Sequence, residues 1–164
     1  MKTEATKQLE KLLKGKFKSG NDFFVFECTI GWMGKEIVDC IKYNCQREIS
    51  CYEIKQSKQD FYSKNKLTFI GHKNYFVMPY ELYEQVKNDI DWDIGVYVAI
   101  DRREQVEEKE TNEFGVTFTK TYMKCIDVLK ELYCIKPAKS RDLRADKEVI
   151  LSSMLRSMQR NVVR

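Results

Sequence analysis

The stretch ISCYEIKQSKQDF, residues 49–61, begins as an apolar run and ends in charged residues. Side chains alternate across a strand, so Glu53 and Lys55 share one face of the predicted strand with Ile49 and Cys51. Burying a charge is costly unless the charge is paired or binds a metal ion. A glutamate and a lysine at the end of a buried strand therefore need a physical reason.

Two more strands are predicted just before this one, over residues 23–30 and 35–44, with short turns between them. Parallel neighbours need a crossover of a dozen or more residues, so three strands this close together form an antiparallel meander. If the second and third strands pair, Asp39 and Glu53 converge at one edge of the sheet, with Lys55 beside them. Carboxylates and a backbone carbonyl are the ligands that Mg²⁺ prefers, and an ammonium can stabilise phosphate charge. The same spacing also fits an exposed ion pair at a strand end.

The rest of the chain alternates between helical and strand-like patterns, which predicts a single α/β domain over residues 1–164. A region with mixed signals, residues 114–135, fits either strands or a short helix. The other predicted elements are a helix over residues 3–17, a helix over 57–66 capped by Ser57, a strand over 73–78, a helix over 80–90, a strand over 94–100, an exposed loop over 101–113, and a last helix over 145–161 whose apolar face is Val149, Ile150, Met154, Leu155 and Met158.

The composition of the 164 residues, 43% hydrophobic and 12% aromatic, is typical of a folded globule rather than a disordered chain. No apolar run approaches the roughly 20 residues that span a membrane, and the N-terminus lacks a signal-peptide core. We therefore expect a cytoplasmic protein without a membrane partner. Its 6 cysteines include no C-x-x-C pair and are expected to be reduced thiols, and its 1 histidine leaves little material for histidine-based catalysis.

Charge is strongly segregated along the chain. Residues 81–113 hold 11 acids and 4 bases, whereas residues 136–164 hold 8 bases and 3 acids. The basic segment and its helix could contact phosphates without reading sequence, or could be a solvated surface. The acidic segment could dock a basic partner. The candidate nucleic-acid contacts in the basic segment are Lys136, Lys139, Arg141 and Arg144.

Asp39, followed by Glu53-x-Lys55 on the next strand and then a helix, resembles the core of the PD-(D/E)xK nuclease superfamily. The runs YEIKQSKQDFYSKNK (52–66) and NYFVMP (74–79) resemble its MmcB-like branch, which is associated with DNA repair. The resemblance covers roughly residues 5–100. Val38 departs from the superfamily pattern, in which a proline precedes the aspartate.

This resemblance implies a restriction-endonuclease-like α+β fold, a mixed central sheet flanked by helices, and Mg²⁺- or Mn²⁺-dependent hydrolysis of DNA. It implies that Asp39, Glu53 and the carbonyl of Ile54 bind the metal ion and that Lys55 positions the attacking water. An additional acid from the first helix is common in the superfamily, and Glu10 is the best-placed candidate.

Lys58 lies one helical turn past the predicted site and is a candidate phosphate contact. One domain of this size has little room for elements that read sequence, so we expect structure-selective rather than sequence-selective action on DNA. The alternative is a catalytically inactive nucleic-acid-binding or protein-interaction module on the same fold. Binding of DNA with and without Mg²⁺ or Mn²⁺ separates these alternatives.

Overall fold

The computed structural model of the chain describes residues 2–18, 21–31, 36–63, 68–111 and 117–162. These residues form a mixed six-stranded sheet and four α-helices, an α+β fold, with one 3₁₀ turn at Lys87–Asp89. In chain order the elements are α1 (Glu4–Phe17), β1 (Phe23–Thr29), β2 (Ile37–Tyr43), β3 (Ile49–Ile54), α2 (Lys58–Phe61), β4 (Lys73–Pro79), α3 (Tyr80–Val86), β5 (Gly95–Thr111), β6 (Thr117–Lys136) and α4 (Lys147–Val162).

The strands follow one another across the sheet in the order β1-β2-β3-β4-β5-β6. The first three are antiparallel, which confirms the predicted meander, whereas β3, β4 and β5 are parallel neighbours. This change follows from the lengths of the connections, because a parallel neighbour needs a long crossover. Residues 55–72, which contain α2, supply it between β3 and β4.

Helices cover the two faces of the sheet around β3, every residue of which is buried. On the face that we call the α1 face, Leu9 and Leu13 pack with Tyr52 of β3. On the opposite face, the α4 face, Ile150 packs with Cys51. Burial on both sides explains why residues 49–54 read as an apolar run rather than an alternating one.

The prediction of an exposed loop over residues 101–113 is wrong as far as residue 111, because β5 continues to Thr111. Residues 112 and 113 lie outside the described residues. Strand β6 is the neighbour of β5, and its hydrogen bonds satisfy the backbone of a charged segment that no apolar pattern marks as a strand. Residues 100–131 form a compact unit of their own, and residues 1–99 with 132–164 form the other.

The helix predicted over residues 57–66 is a single turn, Lys58–Phe61, with Ser57 as its cap as predicted, and residues 64–66 lie outside the described part of the chain. In α4, Val149 and Leu155 do not belong to the buried face, since they are 40% and 68% exposed. Buried serines at positions 153 and 157 take that face instead. No helix within the described ranges is long and apolar enough to cross a membrane.

Candidate active site

The ladder between β2 and β3 brings Asp39 and Glu53 together. Its pairs run from Tyr43 opposite Ile49 to Cys40 opposite Tyr52, and the same register would place Asp39 opposite Glu53. At that point the carboxylate oxygen Oδ2 of Asp39 accepts the backbone N–H of Ile54 at 2.8 Å. The side chain of Asp39 therefore takes the place of a backbone acceptor at the end of the ladder, and this bond fixes Asp39 beside the end of β3.

Glu27 of β1 distorts the strands beside Asp39. Its φ of 51° lies in the left-handed region, which is uncommon for a residue other than glycine. The distortion also shows in β2, where Val38 and Ile41 both pack on the α4 face although strict alternation would separate them. Strain of this kind costs on the order of 1–3 kcal/mol and clusters at functional sites. The strained backbone therefore lies in β1 directly beside Asp39 of β2.

Glu53 is buried without full hydrogen bonding. It is 6% exposed, and its oxygen Oε1 has no hydrogen-bond partner among the described residues. The hydroxyl oxygen of Thr68, whose backbone N–H donates to Glu53, is likewise buried and unpartnered within that part of the chain. Burial, followed by the nearby charge of Asp39, raises the pKa of Glu53 to about 8, although Lys55 and the Thr68 N–H oppose the shift.

Asp39 is subject to the same opposing effects. Burial raises its pKa, while the N–H of Ile54 and then the ammonium of Lys55 act in the opposite direction. The charge of Glu10 adds to the increase, so α1 presents this carboxylate close to Asp39. Glu10 and Asp39 thus lie within electrostatic range of each other, as do Asp39 and Glu53.

Lys2 is the positive group on the α1 side of the site. Its ammonium bonds to the carboxylate of Glu10 and lies 2.9 Å from an oxygen of Glu27. Its charge also opposes the rise in the pKa of Asp39. Lys2 therefore supplies a counter-charge beside the predicted metal ligands.

Lys55 supplies the second ammonium of the site. Its side chain is only 6% exposed, and Nζ donates to the backbone carbonyl of Asp60 at 3.3 Å. The nearest carboxylate oxygen of Asp60 lies 3.7 Å from Nζ. The interpretation of Glu53 and Lys55 as an exposed ion pair is therefore wrong, because both side chains are buried. The charged residues of the site form a group that we call the carboxylate–lysine cluster: Lys2, Glu10, Glu27, Asp39, Glu53, Lys55 and Asp60.

The backbone that carries Thr68 is held by a tight turn. Asn74 accepts the N–H of Gly71 at 3.1 Å and donates to its carbonyl at 2.9 Å. A Cβ at Gly71 would lie 2.9 Å from the carbonyl oxygen of Ile49, so only glycine fits here. His72 accepts the N–H of Ile49 through Nδ1 at 2.9 Å, which gives the histidine a structural role in this turn.

Two of the predicted nucleic-acid contacts are engaged within the protein. Lys136 donates to the carbonyls of Ile90 and Asp91, the latter at 2.7 Å. Arg141 lies 3.0 Å from a carboxylate oxygen of Asp93. It also donates to a backbone carbonyl in the loop before β4. Both side chains hold loops in place, so we do not retain them as phosphate contacts.

Lys139 and Arg144 are exposed, but they lie away from the carboxylate–lysine cluster. The N–H of Arg144 donates to Ile70, just before β4, and β4 begins beside the start of β3. The cluster lies at the other end of β3, roughly 15 Å along the strand. Lys58 is exposed in the first turn of α2, at the same end as the cluster.

Among the residues that the structure describes, no three histidine, cysteine, aspartate or glutamate side chains form a group that could hold a metal ion. Glu10, Asp39 and Glu53 therefore do not form such a group, and without Glu10 the predicted donor set is Asp39, Glu53 and the carbonyl of Ile54. Its donors are all oxygen atoms, and an unpartnered buried oxygen is among them. This chemistry fits Mg²⁺ or Mn²⁺.

Sequence reasoning missed three members of the cluster. Glu27 has a signal in hindsight, since it is the only charged residue within the apolar strand β1. Asp60 carries only the signal of an acid in the first turn of a helix, which does not reveal its contact with Lys55. Lys2 carries no local signal, because only the fold brings it to Glu10.

The fold and the cluster define an α+β protein with a buried glutamate and a buried lysine at one end of a mixed sheet. In fold, the chain is similar to the SPO1766 protein of unknown function from Silicibacter pomeroyi, with a TM-score of 0.66 and 12% sequence identity. The match covers 99% of this chain and 91% of that one, and it shows the fold alone. No protein-family model and no curated protein matches the chain.

Proposed function

We propose that this protein is a divalent-metal-dependent nuclease that hydrolyses phosphodiester bonds in DNA. The observation that carries the proposal is Glu53, a buried carboxyl group beside Asp39 with an oxygen that finds no partner in the described residues. A structural role alone would favour apolar residues at this position, because isolated buried charges are costly. Strongly shifted carboxyl groups of this kind cluster at functional sites.

The balance of charge supports a cation at this site. The carboxylate–lysine cluster contains five carboxyl groups and two ammonium groups, so it is short of positive charge when all are ionised. A divalent cation would offset the repulsion that Asp39 exerts on Glu53. When bound, such an ion would supply Lewis-acid stabilisation of the phosphodiester oxygens.

The residues of the cluster have separate roles in this proposal. Asp39 and Glu53 would hold the cation with the carbonyl of Ile54, and Glu10 would be a further ligand if its bond to Lys2 were released. Lys55 positions the attacking water and stabilises charge that develops on the phosphate. The proposal includes action on DNA in the cytoplasm, in repair or processing, with selectivity for DNA structure rather than sequence.

We expect Asp39→Asn to weaken Mn²⁺ binding by more than about tenfold, because even second-shell partners of a metal ion contribute this much. The amide oxygen can still accept the N–H of Ile54, so the end of the ladder is preserved. Calorimetry with Mn²⁺ measures the change, and nicking of plasmid and forked DNA measures activity. Asp142→Asn is the matched control, because Asp142 is exposed.

Unchanged Mn²⁺ affinity in Asp39→Asn would exclude the site. Metal binding without cleavage of any DNA would instead favour the alternative, an inactive binding module on the same fold. Binding of DNA with and without metal then distinguishes a nucleic-acid-binding module from a protein-interaction module.

A further inference from the structure

A second polar feature lies on the α4 face, outside the carboxylate–lysine cluster. A cleft of about 330 Å³ opens between the end of β1 and the second half of α4. Of the described residues that line it, two are arginines and none is acidic: they are Thr29, Gly31, Arg156, Gln159 and Arg160. Its volume is that of a small-ligand site.

Buried serines orient both arginines. Arg156 donates from Nη2 to the hydroxyl of Ser153 at 3.0 Å, and Arg160 donates in the same way to Ser157 at 2.8 Å. These serines are 0% and 2% exposed, so the two guanidinium groups are anchored one helical turn apart on one side of α4. The repeat also explains why serines replace apolar residues on the buried face of the helix.

The guanidinium groups give this part of the molecule a positive field. Their charges act on the thiol of Cys28 beneath them, where they oppose the effect of burial on its pKa. The Ser153 hydroxyl that anchors Arg156 also accepts the N–H of Gly31 at 3.0 Å, which ties the cleft to the segment after β1. A guanidinium has five N–H donors, so the bond of Arg160 to its serine leaves donors of this side chain for an oxyanion.

The cleft lies at the same end of the sheet as the carboxylate–lysine cluster. Strands β1 and β3 are both antiparallel to β2, so their last residues, Thr29 and Ile54, lie at one end. Two strand spacings separate them, roughly 10 Å. Lys139 and Arg144, by contrast, lie near the start of β4, at the opposite end.

We propose that the cleft between β1 and α4 binds a phosphate group of the DNA backbone through Arg156 and Arg160, next to the site at which the DNA is cut. This inference rests on the proposed nuclease function. Two arginines one turn apart suit phosphate oxygens, because the guanidinium fork can donate two parallel hydrogen bonds. Anchoring by the serines fixes their orientation before binding.

The test measures DNA affinity in the presence of EDTA, so that it does not depend on cleavage. We expect Arg156→Gln with Arg160→Gln to weaken binding of fluorescently labelled single-stranded and duplex oligonucleotides by about tenfold or more. The slope of log affinity against log salt should fall by about 1 to 2, as expected for two phosphate contacts. Lys14→Gln with Lys18→Gln removes two exposed charges at the end of α1 and should change affinity less than about threefold.

A third double variant, Lys139→Gln with Arg144→Gln, tests the basic segment that the sequence indicates. It should behave like the α1 control, and a loss equal to that of the cleft variant would overturn the assignment. An alternative role for Arg160 is to offset the helix dipole, because it lies in the last turn of α4. If this is its only role, the cleft variant would lose thermal stability and keep its DNA affinity, which would also overturn the proposal.

Arg160→Gln alone provides a second route if the double variant does not fold, since this side chain is exposed. It should lose roughly half of the change in salt slope. Inorganic phosphate is titrated in parallel to separate the possible sources of the anion. Arginine-dependent binding of phosphate without binding of DNA would refute the DNA assignment. The wild-type protein could also fail to cut DNA under any condition, while the cleft variant still loses DNA affinity. That result would support the phosphate-binding cleft and reject the proposed nuclease function.

Discussion

Lys55→Ala is expected to reduce metal-dependent cleavage of DNA by on the order of 10²-fold or more, the effect of losing one preorganised electrostatic group. The ammonium of Lys55 acts on both Asp39 and Glu53. Its charge opposes the rise in the pKa of each carboxyl group. It is therefore close to the place where a phosphate would meet the carboxylates. Mn²⁺ affinity should change little, because an ammonium group does not ligate the metal ion.

Lys55 is buried, so the alanine variant also leaves space at the end of β3. Lys55→Met fills most of this space and should show the same loss of cleavage at nearly unchanged stability. Lys73→Ala is the matched control, since Lys73 pairs with Glu48 at 3.1 Å near the other end of the sheet. A Lys55→Met protein that cuts DNA at the wild-type rate would refute the proposed role of the lysine.

The sheet up to β5 could be predicted because its strands carry apolar residues and its turns are short. Burial on both faces gives residues 49–54 their continuous run, and the spacing of the first three strands leaves only a meander. The second half of β5 could not be predicted in this way. Its residues, DRREQVEEKET, have no apolar alternation, and their strand state depends on pairing with β6.

The site could be predicted in part because strand geometry is local. Asp39, Glu53 and Lys55 follow from register and alternation, and the structure brings them together. The basic residues could not be sorted by sequence, because charge does not show whether a side chain has a partner inside the protein. Arg141 binds Asp93, whereas the arginines of α4 line a cleft that depends on buried serines.

Glu53 should also give the protein an unusual dependence of stability on pH. Its pKa is about 8 in the folded state and near the ordinary value of 4.5 in the unfolded chain. Between these values the folded protein keeps a proton that the unfolded chain has lost, so the free energy of unfolding falls as pH rises. The contribution of Asp39 has the same sign, because burial raises its pKa as well.

We therefore expect wild-type protein in EDTA to lose on the order of 3–5 kcal/mol of unfolding free energy between pH 5 and pH 8. Glu53→Gln should remove most of this loss, because the amide stays neutral, and the variant should be the more stable protein at pH 8. Urea denaturation across this pH range measures both proteins, and Asp142→Asn should keep the wild-type slope.

Excess Mn²⁺ at pH 8 adds the decisive comparison. A cation that binds the folded state stabilises it by mass action, and here it also favours the ionised form of Glu53. Mn²⁺ should therefore restore much of the stability of the wild-type protein at pH 8 and have little effect on Glu53→Gln. If both proteins respond equally to Mn²⁺, the ion binds elsewhere. If the variant keeps the wild-type slope in EDTA, Glu53 is not the group that titrates, and the burial of this carboxyl does not have the energetic consequence on which the proposed site depends.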